Sequence, residues 1–164
     1  MWQRIGRNLF SHWFQLNRWF PKQKMREIRD IIAKGELHHA GELCFAVEAR
    51  FSFWVLLDGI TTRSRAEQLF SSMRIWDTQD NSGVLVYLHL AEHKIEIVAD
   101  RGIAKMVPQA MWQALCNAFS IDMHEKSPDQ AIIACLEQIN HLLIEYFPAS
   151  TINNNELPDE PVIL

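Results

Sequence analysis

The stretch from Asp77 to Ile103 decides the fold, and it reads DTQDNSG (77–83), VLVYLHL (84–90), AEHK (91–94) and IEIVADRGI (95–103). An acidic, amide-rich loop leads into a continuous apolar run. A short polar break then leads into a second run, in which apolar and polar residues alternate. This pattern predicts a hairpin of strands at 83–91 and 94–100. Because polar loops flank the hairpin at 77–82 and 100–102, we expect any chemistry of the protein there.

Composition limits the classes of protein to which the chain can belong. The chain has 164 residues, of which 48% are hydrophobic and 22% charged, as is typical of one soluble globular domain with a core. The formal net charge is only −4, so we expect no nucleic-acid partner, because such binding through bulk charge needs a basic chain. Cys44, Cys116 and Cys135 form no CxxC pair. Their apolar neighbours predict buried free thiols and a reducing, cytoplasmic compartment.

Residues 1–20 predict a basic amphipathic helix that is rich in tryptophan. Up to Met25 the chain has five basic residues and no acid, namely Arg4, Arg7, Arg18, Lys22 and Lys24. Such a helix packs on its own domain or on a partner chain, or else lies in a membrane interface. The side chains expected to contact a membrane or a partner are Trp2, Trp13, Trp19 and Phe20. No secretory signal or membrane-spanning pattern is present, so we expect a cytoplasmic protein, peripheral at the inner membrane if this helix binds lipid.

Helices and strands alternate after this segment. The predicted order is helix, strand, helix, strand, strand, helix, helix, with the first strand at 42–50. A strand–helix–strand unit is parallel and right-handed, and the apolar run at 84–90 indicates burial on both faces. Residues 51–60 are apolar and fit either a helix or a strand. The sequence therefore predicts an α/β fold, an α/β/α sandwich with a mixed central sheet.

The C-terminal stretch differs in composition from the domain before it. Residues 149–164 are polar, acidic and contain proline, so we expect an extended or disordered tail whose apolar end, 162–164, could dock on another surface. The chain thus divides into a helix at 1–20, a domain at 21–148 and the tail at 149–164.

The hairpin and its loops resemble the TPM domain family. The resemblance rests on Trp76, the loop and strand at 77–87, and the Ile-x-Ile-Val strand that begins at Ile95. It covers roughly residues 21–147 and implies an α/β/α sandwich in a bacterial protein. The family includes bacterial proteins of mostly unknown role and a plant thylakoid-lumen protein linked to photosystem II repair. Many members carry an N-terminal signal and a C-terminal membrane segment or low-complexity tail, and we see neither pattern here.

The two loops offer oxygen ligands for a metal ion. Asp77, Asp80 and Asn81 lie on the first loop, and Asp100 ends the second strand of the hairpin. Because one strand of a hairpin starts where the other ends, Asp80 and Asp100 can approach each other. Calcium takes about six to eight oxygen ligands, so these four residues predict a site for calcium or another divalent cation. No EF-hand spacing is present, and the alternative is that these residues only form turns and caps.

The resemblance also implies two activities, calcium binding in some members and weak acid phosphatase activity in the plant branch. For a metal-assisted phosphatase, Arg101 would contact the phosphate anion, and Asp80 or a metal-bound water would attack. The sequence has no Cys-x5-Arg motif, no Asp-x-Asp pair and no glycine-rich phosphate loop, and it identifies no catalytic residue. The leading prediction is therefore a binding or accessory module with an unidentified protein partner, rather than an enzyme. The alternatives are the weak phosphatase and a membrane-surface adaptor that acts through residues 1–20.

Overall fold

Helices surround a four-stranded sheet in the computed structural model, which describes residues 8, 13–149 and 155–164, with only the backbone at 13–15. The helices are α1 (Trp13–Trp19), α2 (Lys22–Glu36), α3 (Phe53–Leu57), α4 (Thr62–Ser72), α5 (Arg101–Met106), α6 (Gln109–Glu125) and α7 (Pro128–Tyr146). The strands are β1 (Glu42–Glu48), β2 (Gly83–His89), β3 (Lys94–Ala99) and β4 (Val162–Ile163). The predicted α/β sandwich with a mixed sheet is confirmed.

The sheet has the order β3-β2-β1-β4. β1 and β2 are parallel and joined through α3 and α4, whereas β2 and β3 form the antiparallel hairpin. All seven residues of β2 are buried, because this strand has a neighbour on each side and helices over both faces. The register therefore brings together the start of β1, the start of β2 and the end of β3. They lie at the edge of the sheet that runs across the strand ends, not along an outer strand.

The alternation of side chains along β1 separates two cores. Leu43, Phe45 and Val47 pack in the larger core, which also contains residues of α2, α6 and α7. Cys44 and Ala46 point the other way and pack in a smaller core with residues of α4. Successive side chains of a strand point to opposite faces of the sheet, so the continuous apolar residues of β1 cover both of its faces.

The ambiguous segment at 51–60 contains the short helix α3. The hydroxyl of Ser52 accepts the N–H of Val55 as its N-cap, and Gly59 follows the helix with a φ of 71°, a conformation that favours glycine. Thr61 then caps α4 in a capping box with Ser64.

The C-terminal tail contributes the fourth strand, which the sequence pattern did not predict as a strand. β4 pairs in parallel with β1 through Ala46–Val162 and Val47–Ile163. Two residues are too few for a periodic pattern to show. Within the described part of the tail, Val162 and Ile163 form this strand, and they dock on the edge of β1.

The N-terminal helix packs on its own domain over the part whose side chains are described. Phe20 is 2% exposed, and its ring lies 6.1 Å from that of Phe45. The expectation that Phe20 contacts a membrane or a partner is therefore wrong, because the apolar face of the helix completes the core. Trp19 is half-buried, and the guanidinium of Arg18 lies 5.0 Å from the centre of a Trp19 ring.

Two of the predicted contact residues cannot be placed in the same way. Trp2 lies outside the described residues, and only the backbone of Trp13 is described. Over the described ranges, no helix has the length and apolar character needed to cross a bilayer.

Candidate functional site

The first loop, residues 77–83, is a tight turn closed by its own hydrogen bonds. Thr78 Oγ1 is in a buried position and accepts the N–H of Ser82 at 2.8 Å. Asn81 adopts the left-handed conformation with a φ of 53°, which asparagine tolerates better than most residues. The residues around Asn81 are therefore needed for the conformation of this turn. That conformation fixes the positions of the oxygen atoms of Asn81.

The second loop is shorter than predicted, because Asp100 begins a helix. Asp100 Oδ1 accepts the N–H of Arg101 at 2.7 Å as the N-cap of α5, and the N–H of Asp100 donates to the carbonyl of Gly83 at 2.8 Å. The predicted loop at 100–102 is thus the N-cap and first turn of α5. Aspartate is a preferred N-cap, so this residue has a structural role whatever else it binds.

Asn81 and Gly102 join the two loops. Arg101 Nε donates to Asn81 Oδ1 at 2.6 Å, and the N–H of Gly102 donates to the carbonyl of Asn81 at 3.0 Å. A Cβ at Gly102 would collide with the carbonyl oxygens of Asp80 and Asn81. The two loops therefore meet in direct contact at one edge of the sheet, as the hairpin predicts.

Some oxygens of the predicted metal ligands are already bound to another side chain, and others are not. Asp77 is engaged in an ion pair with Arg74 at 2.5 Å, and the side-chain oxygen of Asn81 is held by Arg101. Asp80 is exposed. Asp100 Oδ2 is a buried oxygen that has no hydrogen-bond partner within the described part of the chain.

The four predicted ligands do not converge on one point. Within the described ranges, no three histidine, cysteine, aspartate or glutamate side chains are placed to hold a metal ion together. Arg101 is exposed and lies at this edge, as its predicted role as an anion contact requires.

The C-terminal tail also reaches this edge, a contact that the sequence pattern did not predict. The carboxylate of Glu156 accepts the N–H of Gln79 at 3.1 and 3.2 Å. Glu42 Oε2 accepts the N–H groups of Glu156 and Leu157 at 3.1 and 3.0 Å. The acidic composition of the tail was the available signal, but nothing in the sequence paired it with this loop.

Two buried carboxyl groups lie beneath the tail. Glu36 Oε1 accepts the N–H of Leu43 at 2.7 Å. Burial raises the pKa of Glu36 to about 8. The bond from Leu43 opposes this rise, and the charges of Glu42 and Asp159 add to it. Burial also raises the pKa of Glu42. Burial therefore makes both Glu36 and Glu42 bind a proton more tightly than an exposed glutamate does.

The cysteines do not supply an activated nucleophile. Burial raises the pKa of Cys44 to about 12, and it also raises the pKa values of Cys116 and Cys135. All three are free thiols, and Cys44 and Cys135 are buried as predicted, whereas Cys116 is half-buried. Because the thiolate is the reactive form, these residues are unsuited to phosphate transfer.

Comparison with known proteins agrees with this architecture. The model of the TPM domain matches residues 17–142. The NMR structure of the BA42 protein from the psychrophilic bacterium Bizionia argentinensis superposes with a TM-score of 0.76 at 23% sequence identity, covering 87% of this chain and 93% of that one. Among curated proteins, no sequence matches this chain. Because the family model spans more than half of the sequence and ends only four residues before the close of α7, the chain belongs to the TPM domain family.

Proposed function

We propose that this protein is a binding module that takes a divalent cation, calcium first, at the edge where loop 77–83 meets Asp100. The observation that carries the proposal is Asp100 Oδ2, a buried carboxylate oxygen without a partner in the described structure. Leaving a charged oxygen buried and unbonded is costly. A bound cation with its water would satisfy this oxygen.

The available donors suit a hard cation. Asp100 Oδ2 and the exposed carboxylate of Asp80 are both oxygens, and oxygen is the ligand type that calcium and magnesium prefer. Asp77 and Asn81 would join them only by releasing Arg74 and Arg101. Two carboxylates with water completing the shell predict weak binding, since calcium affinity rises with the number of charged ligands.

Substitution of the arginine beside the site distinguishes cation binding from anion binding. Arg101 bonds to Asn81 and flanks Asp100, so its positive charge opposes a cation bound there. Replacing it by glutamine should tighten calcium binding. If the edge instead binds a phosphate, the same substitution should weaken the interaction, because the guanidinium is then an anion contact.

Calorimetric titration with calcium tests the proposal. Asp80→Asn and Asp100→Asn each remove one ligand charge, and asparagine keeps the helix cap that Asp100 provides. Both variants should lose most of the binding heat. Asp77→Asn is the matched control, because Asp77 lies on the same loop but is paired with Arg74. Equal heats in all four proteins, or none in the wild type, would reject the site.

The phosphatase alternative requires a different result from the same proteins. A metal-assisted hydrolysis at this edge would need Asp80 or a metal-bound water as nucleophile and Arg101 on the phosphate. Hydrolysis of a phosphate monoester that disappears in Asp80→Asn and Arg101→Gln would establish this reading. Turnover that is unchanged in both variants would come from a contaminant.

The accessory role carries two further expectations. We propose a cytoplasmic location and an unidentified protein partner, in keeping with a small module whose site is built from loops on a rigid sheet. Fractionation of cells that express the full chain, followed by crosslinking, would test both. Recovery of the protein outside the cytoplasmic fraction would contradict the proposed location, and crosslinking that joins no second protein would contradict the proposed partner.

A further inference from the structure

The C-terminal tail closes a ring of hydrogen bonds around the loop that carries Asp80. The backbone N–H of Glu156 donates to Glu42 Oε2 at 3.1 Å, and its carboxylate accepts the N–H of Gln79 at 3.1 and 3.2 Å. The N–H of Glu42 in turn donates to the carbonyl of Ser82 at 3.0 Å, at the other end of the same loop. The loop is therefore held at both of its ends, by β1 and by the tail.

Further contacts dock the tail along β1. Leu157 and Val162 pack against the smaller core. The N–H of Leu164 donates to the carbonyl of Val47 at 2.9 Å, in addition to the pairing of β4 with β1. Because Glu156 directly precedes Leu157, release of these contacts would also withdraw the carboxylate of Glu156 from the loop. Docking of the tail and restraint of the loop are thus one event.

The residue that the tail holds is next to a proposed cation ligand. The N–H of Asn81 donates to the carbonyl of Thr78 at 3.2 Å, so Gln79 and Asp80 are the two central residues of one tight turn. Glu156 holds the backbone of Gln79, and this backbone leads directly into Asp80. The docked tail therefore restrains the turn that positions the Asp80 carboxylate. A restrained ligand loses less conformational entropy when it binds.

The tail also brings a negative charge beside this ligand. The carboxylate of Glu156 lies at the backbone of the residue before Asp80, and neighbouring carboxylates repel each other. A divalent cation on Asp80 would offset this repulsion and so favour the docked tail. The docked tail in turn restrains the turn for the cation. Such an effect of one binding event on another is reciprocal.

We propose that cation binding at the loop and docking of the tail are coupled, so that residues 155–164 form a strap that the cation fastens. Glu156 is the positioning residue through which the two events act on each other. This inference rests on the proposed cation site and adds its regulation. Without the cation the strap opens more often, and β1 then has an open edge, which can pair with another extended segment.

Calorimetric titration of the full chain with calcium measures the effect of the tail on the cation. Glu156→Ala removes the acceptor of the Gln79 N–H and should weaken calcium binding about fivefold or more, in the usual range of coupling between two sites. Glu156→Gln keeps an oxygen acceptor and should weaken binding no more than Glu160→Ala does. Glu160→Ala is the matched control, because it removes the same charge from an exposed position of the same tail. Circular dichroism should show that all three variants are folded.

Amide hydrogen exchange measures the reverse effect, that of the cation on the tail. The N–H of Leu157 bonds to Glu42. The N–H of Leu164 bonds to Val47, so exchange of these two amides reports opening of the strap. Saturating calcium should slow both exchange rates in the wild type by a factor comparable with the loss of affinity in Glu156→Ala, because coupling is reciprocal. In Glu156→Ala, calcium should leave both rates unchanged.

The outcomes separate the strap from the cation site. A wild type that takes up no calcium would overturn both. A wild type that binds calcium, with Glu156→Ala binding equally well and with tail exchange unaffected by calcium, would overturn the strap and leave the cation site in place. An equal loss of affinity in Glu156→Gln and Glu156→Ala would also overturn it, because the charge of Glu156 would then account for the effect without its bond to the loop.

Discussion

Asn81 receives two hydrogen bonds from one helical turn, from Arg101 Nε to its side-chain oxygen at 2.6 Å and from the N–H of Gly102 to its carbonyl at 3.0 Å. It does so from a left-handed conformation with a φ of 53°. One residue thus holds the loop before β2 against the start of α5. The position of both carboxylates in the proposed cation site depends on this connection.

Replacing Asn81 by alanine should destabilise the protein by about 1–2 kcal/mol, because alanine loses the bond to Arg101 and disfavours the left-handed conformation. Asn81→Asp is the control, since aspartate tolerates that conformation and can accept the same bond from Arg101. Urea unfolding measures both free energies. Equal stability of the alanine variant and the wild type would show that this bond does not hold the loops together.

Substitution of Gly102 by alanine should cost about 1–3 kcal/mol, because the new methyl group meets the carbonyl oxygens of Asp80 and Asn81 and the loops must move apart. Ala104→Ser, at an exposed position of the same helix, should change the free energy of unfolding by no more than about 0.5 kcal/mol. Urea unfolding of both variants measures the two changes in the free energy of unfolding. A Gly102→Ala protein as stable as the wild type would mean that the loops are not in contact.

The buried Glu36 should make stability fall as the pH rises. Its pKa is raised to about 8 in the folded protein, so between its ordinary value and about 8 the folded state binds the proton more tightly than the unfolded state. The free energy of unfolding should therefore be higher near pH 5 than near pH 8, by on the order of 2 kcal/mol. Denaturant unfolding at the two pH values measures this difference.

Glu36→Gln supplies the control for this pH dependence. Glutamine retains an oxygen that can accept the N–H of Leu43 but does not ionise in this range. Most of the fall in stability should disappear in this variant. A wild type whose stability rises between the same two pH values would contradict the assignment.

The larger elements could be predicted from periodicity, because they are long and bury one face or two. The run around Leu85 and Tyr87 is apolar throughout, and β2 is buried on both sides. The helix that begins after Pro21 places Ile28 and Ile32 in the core as its spacing indicates. Burial of this kind can be read from the sequence because apolar residues recur with the period of a helix or a strand.

The fourth strand and its anchor were not predictable in this way. β4 has two residues, and it is fixed by Glu42, which accepts the N–H groups of Glu156 and Leu157 across more than a hundred residues of sequence. A contact of that separation depends on the completed fold and leaves no local pattern. The same is true at the candidate site, where the engagement of Asp77 by Arg74 removes a ligand that composition alone suggested.

Removal of residues 155–164 should destabilise the protein by on the order of 3 kcal/mol, because the buried carboxylate of Glu42 loses both of its tail donors and β1 becomes an exposed edge. Adding Glu42→Gln to the truncated chain should restore part of the loss, since an amide is less costly to bury than a charge. Thermal unfolding and gel filtration measure stability and association. A truncated protein that unfolds at the same temperature as the full chain and elutes in the same oligomeric state would show that the tail is not part of the fold.

Titration of the isotopically labelled full chain with calcium, followed by two-dimensional NMR of the backbone amides, tests the proposed function most directly. The proposed site predicts shifts that saturate at millimolar calcium, that cluster at Asp80–Gly83 and Asp100–Gly102, and that vanish in Asp100→Asn but persist in Asp77→Asn. The absence of shifts at these amides, or shifts that are the same in Asp100→Asn, would contradict it.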